Sequence, residues 1–190
     1  MNDNILSYNE RIELLNIARQ ALEHAARAKP LPMICLEEYS PVLRAPGASF
    51  VTLKKSGRLR GCIGTLTPFQ PLVLDVQDRA VAAGFNDHRF PAVIFDELAE
   101  IEIEISRLTQ PKPLNFSNPE DLPRLLRPGI DGVVIHDGFR RATFLPQVWE
   151  SLPISENFLG ELCQKMGANR DLWRNKILEV ETYQIEEFHE

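Results

Sequence analysis

The stretch Ile101-Glu102-Ile103-Glu104-Ile105 alternates strictly between isoleucine and glutamate. Successive side chains of a β-strand point to opposite faces of the sheet, so the pattern predicts one apolar face and one charged face. Antiparallel sheets commonly bury one face and leave the other in water, whereas parallel sheets bury both. The stretch therefore predicts an antiparallel sheet, and its glutamates are interpreted as the solvent face rather than as a metal or acid–base array.

Two β-hairpins are predicted in addition to this strand. They span residues 49–66, with a turn at 54–57, and residues 132–144, with Asp137-Gly138 as the turn. Asp-Gly suits the two-residue turns that join antiparallel strands. Hairpins and alternating strands exclude a regular βαβ repeat, so the fold class is predicted to be α+β, with a mainly antiparallel sheet flanked by helices.

Three helices are predicted from apolar residues at helical spacing. They span residues 8–28, a segment that starts at residue 67 and ends at Gly84, and residues 155–166. Ser7 and Glu10 have the spacing of a capping box, and Ser155 is a candidate N-cap. Gly167 is expected to end the third helix.

The remaining segments bear on the domain organisation. Residues 109–128 contain five prolines and are predicted to form a loop-rich excursion that can build its own lobe. Residues 178–188 are rich in β-formers and are predicted to be a single final strand. Residues 1–190 are therefore interpreted as one domain, with a large lobe and a smaller second lobe.

A second motif, Leu59-Arg60-Gly61-Cys62-Ile63-Gly64-Thr65, lies in the first predicted hairpin. Glycine inside a strand often marks a bulge or a close approach of a ligand or another backbone. Strand alternation places Arg58, Arg60 and Cys62 on one face, where an arginine would favour a thiolate. Free cysteine is, however, more often a small buried hydrophobe, so a structural role for Cys62 stands beside the reactive one.

Composition restricts the classes of function. The formal net charge of −6 gives no general reason to expect a nucleic-acid or membrane surface, although Lys54, Lys55, Arg58 and Arg60 form a local basic cluster. Three scattered cysteines do not form a disulfide framework, and no CxxC or HExxH motif is present. We therefore expect no metal and no cofactor. The absence of a signal peptide and of a membrane-length apolar run predicts a cytoplasmic protein.

The motif at 59–65 resembles the signature of the AMMECR domain, also called AmmeMemoRadiSam system protein A. Residues 85–91, Phe-Asn-Asp-His-Arg-Phe-Pro, resemble the "NDPRFP" loop of that family, with His88 in place of the usual proline, which predicts a less rigid loop. Residues 101–106 resemble its alternating strand. Later blocks at 132–135, 144–148 and 158–173 follow in the order of the family.

The resemblance implies an α+β fold with a larger lobe, a smaller lobe and two partners. The partners are a Memo-type protein, which resembles extradiol dioxygenases, and a radical S-adenosylmethionine enzyme, with which the family is associated in genomes. That association implies a shared pathway but supplies no reaction and no catalytic residue.

Three functions are consistent with these features. The first is a component of a modification system that acts on a small molecule, nucleotide, RNA or protein, with Cys62 as the candidate catalytic residue. Its candidate binding residues are Arg58, Arg60, Gly61, Gly64, Asn86, Asp87 and Arg89. The second is a non-catalytic adaptor that uses the motif as a docking surface. The third is nucleic-acid binding through the basic hairpin, which the acidic background disfavours.

Overall fold

The computed structural model of the chain describes residues 5–190. These residues form two compact units, which are described separately: one runs to Thr109 and includes Glu186–Glu190, and the other is Gln110–Ile185. Each unit combines helices with an antiparallel sheet, so the fold is α+β, as the sequence predicted.

The element bounds are as follows. The strands are β1 (Pro46–Lys55), β2 (Arg58–Gly64), β3 (Gln70–Pro71), β4 (Ile101–Leu108), β5 (Lys112–Pro113), β6 (Gly132–Asp137), β7 (Arg140–Phe144), β8 (Glu179–Tyr183) and β9 (Ile185–His189). The helices are α1 (Tyr8–Ala26), α2 (Pro41–Arg44), α3 (Leu72–Phe85), α4 (Leu122–Leu125), α5 (Ser155–Lys165) and α6 (Leu172–Asn175).

Strand β1 is at the centre of the sheet in the first unit. It pairs antiparallel with β2 on one side and with β4 on the other, while β9 lies beyond β4 and the short β3 pairs with the start of β1. Ser56 and Gly57 form the turn between β1 and β2, with φ values of 51° and 72°. Positive φ at both turn residues matches a type I′ turn, so the first predicted hairpin is confirmed.

Helices α1 and α3 cover one face of this sheet. The isoleucines of the alternating stretch in β4 are buried in that core and Glu102 is exposed, as predicted, whereas Glu104 is half-buried and pairs with Lys54. Ser7 caps α1 with the predicted capping box: Glu10 N donates to Ser7 Oγ at 3.3 Å, and Ser7 N donates to Glu10 Oε2 at 2.7 Å. Complete burial of one leucine or isoleucine side chain stabilises the fold by about 1.5–3 kcal/mol.

The second unit has a four-stranded sheet with the order β5-β8-β6-β7. Helix α5 packs Phe158 into the core of this unit, where its ring stacks on Trp149 with the ring centroids 3.8 Å apart. Gly167, with φ of 78°, follows the helix, and Cys163 is completely buried within it. The predicted glycine stop and the predicted core position of Cys163 are both confirmed.

Two helix predictions were wrong in detail. Helix α3 starts at Leu72 rather than at residue 67, because Gln70 and Pro71 pair with β1 as strand β3. Gly84 lies inside α3 instead of ending it. A Cβ at Gly84 would lie 2.6 Å from Leu22 Cδ1, so this glycine allows α1 and α3 to pack closely.

Other boundaries also differ from the sequence predictions. The second hairpin turns at Gly138-Phe139 rather than at Asp137-Gly138, since Asp137 pairs with Arg140 and Gly138 has φ of 62°. Ser155 is the first residue of α5, and Ile154 occupies the N-cap position. The single predicted strand at 178–188 is two strands, β8 and β9, which belong to different sheets.

Candidate functional site

The motif at 59–65 lies on β2, where a β-bulge changes its geometry. Cys62 pairs with Thr52 and Gly61 with Leu53, but Leu59 pairs with Lys54, so Arg60 is an extra residue between the two registers. Directly opposed residues share a face of the sheet. Cys62 therefore lies on the face of Leu59 and Thr52. The prediction that Arg58, Arg60 and Cys62 share one face was wrong, because the bulge interrupts the alternation.

Arg60 forms an ion pair with Glu97 rather than with the Cys62 thiol. Its Nη2 donates to Glu97 Oε1 at 2.7 Å and its Nε donates to Glu97 Oε2 at 3.2 Å. The hydrogen bond from Arg60 lowers the pKa of Glu97, and Lys55 Nζ approaches the same carboxylate at 3.3 Å. Arg60 thus anchors the segment 95–100 to the hairpin, which corrects the expectation that it stands beside Cys62.

Arg89 is the arginine that contacts Cys62. Its Nη2 donates to the Cys62 carbonyl oxygen at 3.3 Å and to Asp87 Oδ2 at 2.7 Å, and its Nε donates to Asp87 Oδ1 at 2.9 Å. The hydrogen bond to Asp87 raises the pKa of Arg89, and a charge on Cys62 acts in the same direction. A cation from the loop after α3 therefore contacts the backbone of Cys62.

Asp87 joins that loop to the strand. Its side chain is buried, and its Oδ2 accepts a hydrogen bond from the Cys62 backbone N–H at 2.8 Å. The side chain of Arg89 and the N–H of Cys62 together hold the pKa of Asp87 well below its usual range. The structure thus brings Asp87 and Arg89 to the motif, whereas Asn86 is exposed and caps the end of α3 with its backbone N–H.

The Cys62 thiol is half-buried and accepts a hydrogen bond from Thr52 Oγ1, with a distance of 3.2 Å between oxygen and sulfur. Cys35 is exposed, Cys163 is buried, and all three cysteines are free. Thr52, Cys62 and Arg89 therefore combine a hydroxyl, an accessible thiol and a guanidinium. We refer to these three residues and Asp87 as the thiol cluster.

The two glycines of the motif are required by packing. A Cβ at Gly61 would lie 2.1 Å from the Ala83 carbonyl oxygen of α3. A Cβ at Gly64 would lie 2.2 Å from the ring of Phe50 and 2.5 Å from the Ser49 carbonyl oxygen. These contacts correct the interpretation that the glycines let a ligand approach the backbone, because protein atoms already fill that space.

The model of the AMMECR1 family matches residues 15–188. The chain belongs to the AMMECR1 family. A relative from Methanothermobacter thermautotrophicus is 38% identical over 97% of this chain and 96% of its own length. Protein MJ0810 from Methanocaldococcus jannaschii is 31% identical over 98% of this chain and 92% of its own length. The names of these two relatives state no activity.

The fold is shared with a solved member structure. The crystal structure of uncharacterized protein PH0010 from Pyrococcus horikoshii superposes with a TM-score of 0.70 and 32% sequence identity. The match covers 94% of this chain and 90% of that one. The AMMECR1 resemblance deduced from the motif at 59–65 is therefore confirmed, and it applies to nearly the whole chain.

Among residues 5–190, no three histidine, cysteine, aspartate or glutamate side chains converge in a way that could hold a metal ion. Within the same residues, no helix is both long enough and apolar enough to cross a membrane.

Two residues that contact the motif, Thr52 and Glu97, are not predicted by the sequence. A hairpin with its turn at Ser56-Gly57 and no bulge would place Thr52 opposite Gly61, so the partner of Cys62 was not predictable from alternation alone. Glu97 lies in an acidic segment outside the family motifs, and it is revealed only by its contact with Arg60. The bulge accounts for the first omission, because it shifts the register by one residue.

Asp87 gives a pH-dependent prediction. Because its pKa is lowered on folding, its stabilising contribution is present above pH about 4 and is lost as the pH falls below that value. We expect Asp87→Asn to lower the melting temperature at pH 7, with a difference from the wild type that shrinks as the pH falls toward 2. Melting curves across this range measure it. Asp96→Asn, at an exposed position, is the control, and a difference independent of pH would contradict the prediction.

Proposed function

We propose that this AMMECR1-family chain is a component of a modification system that acts with a Memo-type protein and a radical S-adenosylmethionine enzyme. We further propose that the thiol cluster is its substrate or intermediate site. The sequence resemblance supports the partners. The observation that supports the site is the half-buried Cys62 thiol with a hydroxyl donor on one side and an anchored guanidinium at its own carbonyl.

The thiol of Cys62 is better suited to this role than the other two. Cys163 is fully buried, and burial raises the pKa of its thiol. Cys35 is exposed, but its hydrogen bond to Glu37 raises its pKa and places carboxylate charge beside it. Reactive cysteines are found in partly exposed, electropositive surroundings. Arg89 contacts the backbone of Cys62, as Asp87 does, and its guanidinium is the more exposed of the two groups.

Arg89 is paired with Asp87, as Lys54 and Arg60 are paired with their glutamates, but it keeps one exposed nitrogen that can contact an anionic ligand. Its side chain is 58% exposed, and its Nη1 makes no hydrogen bond with residues 5–190. Asp87 binds the opposite edge of the guanidinium and fixes its orientation. A phosphate or carboxylate group can therefore accept a charge-assisted hydrogen bond from Arg89 while it lies near Cys62.

An adaptor function is the second candidate, and Leu59 favours it. Leu59 is 44% exposed on the same face of the sheet as Cys62, and an exposed leucine beside polar groups is suited to contact with a protein. In this case the thiol cluster shapes a docking surface and Cys62 has no chemical role.

The basic hairpin gives little support to nucleic-acid binding. Lys54 pairs with Glu104 at 2.7 Å, and Lys55 and Arg60 both pair with Glu97. Phosphate contacts require cations that can replace the counterions of the nucleic acid. Three of the four basic side chains already have carboxylate partners, so the positive charge of the cluster is largely balanced.

Charge-selective alkylation tests the proposed site. We expect the ratio of the iodoacetate rate to the iodoacetamide rate to be about 3–10 times larger at Cys62 than at Cys35, because Arg89 attracts the anionic reagent and Glu37 repels it. Peptide mass spectrometry of the native protein resolves the two sites. Arg89→Gln should remove the preference, whereas Arg58→Gln, an exposed arginine of the same strand, should leave it unchanged.

Two results would contradict the proposal. One is an equal ratio at Cys62 and Cys35, and the other is the same loss in Arg58→Gln as in Arg89→Gln. A pull-down of the purified Memo-type protein by this chain distinguishes the adaptor function from a substrate site. If Leu59→Asp abolishes capture, Cys62→Ser leaves it unchanged and the alkylation ratio at Cys62 is no larger than at Cys35, the chain acts as an adaptor.

A further inference from the structure

The second unit contains a cleft of about 470 Å³ that is distinct from the thiol cluster. Its walls come from the segment after β5, from β8 with the two residues before it, and from the end of β6. Leu114, Phe116 and Ile177 provide apolar surface. This volume is within the range of small-molecule sites, which combine an apolar wall with a few polar groups.

The cleft opens where two strands separate. β5 pairs with β8 at Pro113 and Glu181, and Leu114 N donates to the Val180 carbonyl oxygen at 2.8 Å. The regular pairing ends there, and Asn115 and Phe116 continue as a separate wall. A fork between strands of one sheet provides a pocket whose walls are fixed by the fold.

The polar side of the cleft is acidic. His136 Nε2 lies 3.1 Å from Glu181 Oε2, and the register places His136 directly opposite Glu179. Among the described residues that line the cleft, none is a lysine or an arginine. Glu179 and Glu181 therefore place two carboxylates beside an apolar wall, and the nearest cation in the strand register is Arg141, which lies opposite His136 on β7.

We propose that this cleft binds a small organic cation with an aromatic body. A protonated amine would pair with Glu181 and Glu179, while the flat ring would pack against Phe116 and Ile177. The face of Phe116 also offers a cation–π contact. An anion of the same shape is disfavoured, because its charge would be repelled by the two carboxylates.

Matched indole compounds test the proposal on the full chain. Tryptamine carries an ammonium group, indole-3-acetate carries a carboxylate, and 3-methylindole is neutral. We expect saturable binding of tryptamine by NMR titration, with an affinity at least about 10-fold higher than for the other two compounds, which requires only one effective charge contact. The shifted resonances should be those of Phe116, Ile177 and Glu181.

Three variants test whether tryptamine binds in this cleft. Glu181→Gln should weaken tryptamine binding at least about 5-fold. Ile177→Ala, at a side chain that is 55% exposed, should weaken it without risk to the core. Glu161→Gln on α5, whose exposed carboxylate pairs with Arg170, is the control and should bind as the wild type does. The proposal is overturned if tryptamine does not bind, if indole-3-acetate binds equally well, or if Glu161→Gln loses as much affinity as Glu181→Gln.

Discussion

Gly61→Val is expected to lower the free energy of unfolding by at least about 3 kcal/mol, the upper part of the range for overpacked positions. The Cβ would lie 2.1 Å from the Ala83 carbonyl oxygen, and this obstacle belongs to helix backbone rather than to a flexible side chain. Helix α3 would have to move away from β2, and with it the Leu72, Val76 and Ala80 side chains in the core. Chemical denaturation of the purified variant measures the loss.

Arg58→Val separates packing from strand propensity. It introduces the same side chain into the same strand at an exposed position, so its effect should remain within about 0.5 kcal/mol. Valine is a good strand former, and propensity alone would make Gly61→Val neutral or stabilising. Equal stability of the two variants would show that packing against α3 does not require glycine at position 61. A ligand or partner that approaches the backbone would then be the reason for the glycine.

The fold was largely predictable because its strands are amphipathic. The Ile101–Ile105 alternation indicated β4 and its buried face, and the turn residues around Gly57 indicated the β1–β2 hairpin. These features depend on local pattern and turn chemistry. Residues 178–188 divide into β8 and β9 because each half pairs with a different sheet. A continuous run of β-formers does not reveal such tertiary pairing.

The residues of the candidate site could be predicted from the sequence, but their arrangement could be predicted only in part. The family motifs indicated Cys62, Asp87 and Arg89, and the structure brings all three together. Strict alternation along β2 predicts that Arg60 lies beside the thiol. One extra residue at the bulge reverses the faces on its two sides, and Glu97 then captures the guanidinium.

The thiol cluster and the glycine contacts have a common support in α3. Ala83 of this helix fills the space beside Gly61, and Asp87 follows its C-terminal end to bind the Cys62 N–H. The position of α3 on the sheet therefore determines both the packing of the motif and the location of the loop that carries Arg89. Mutations that release α3 should disturb the cluster even where they do not touch it.

Asp75 provides a buried polar link between α3 and the sheet. Its carboxylate is completely buried, and its Oδ2 accepts hydrogen bonds from Ser49 N at 2.9 Å and from Ser49 Oγ at 2.7 Å. Its Oδ1 accepts a further hydrogen bond from Arg79 Nε at 3.2 Å. Removing the carboxylate would leave the buried N–H and hydroxyl of Ser49 without this acceptor.

Asp75→Ala is therefore expected to lower the free energy of unfolding by about 3 kcal/mol, as when one partner of a buried charged network is removed. Asp78→Ala is the matched control, because Asp78 is an exposed aspartate of the same helix whose carboxylate accepts a hydrogen bond from Gln70, and it should change stability by less than about 1 kcal/mol. Ser49→Ala should cost less than Asp75→Ala, since it keeps the backbone N–H bond, and the double variant should add little to Asp75→Ala alone. Equal losses in Asp75→Ala and Asp78→Ala, or full additivity with Ser49→Ala, would mean that the link between α3 and β1 is carried by apolar packing instead.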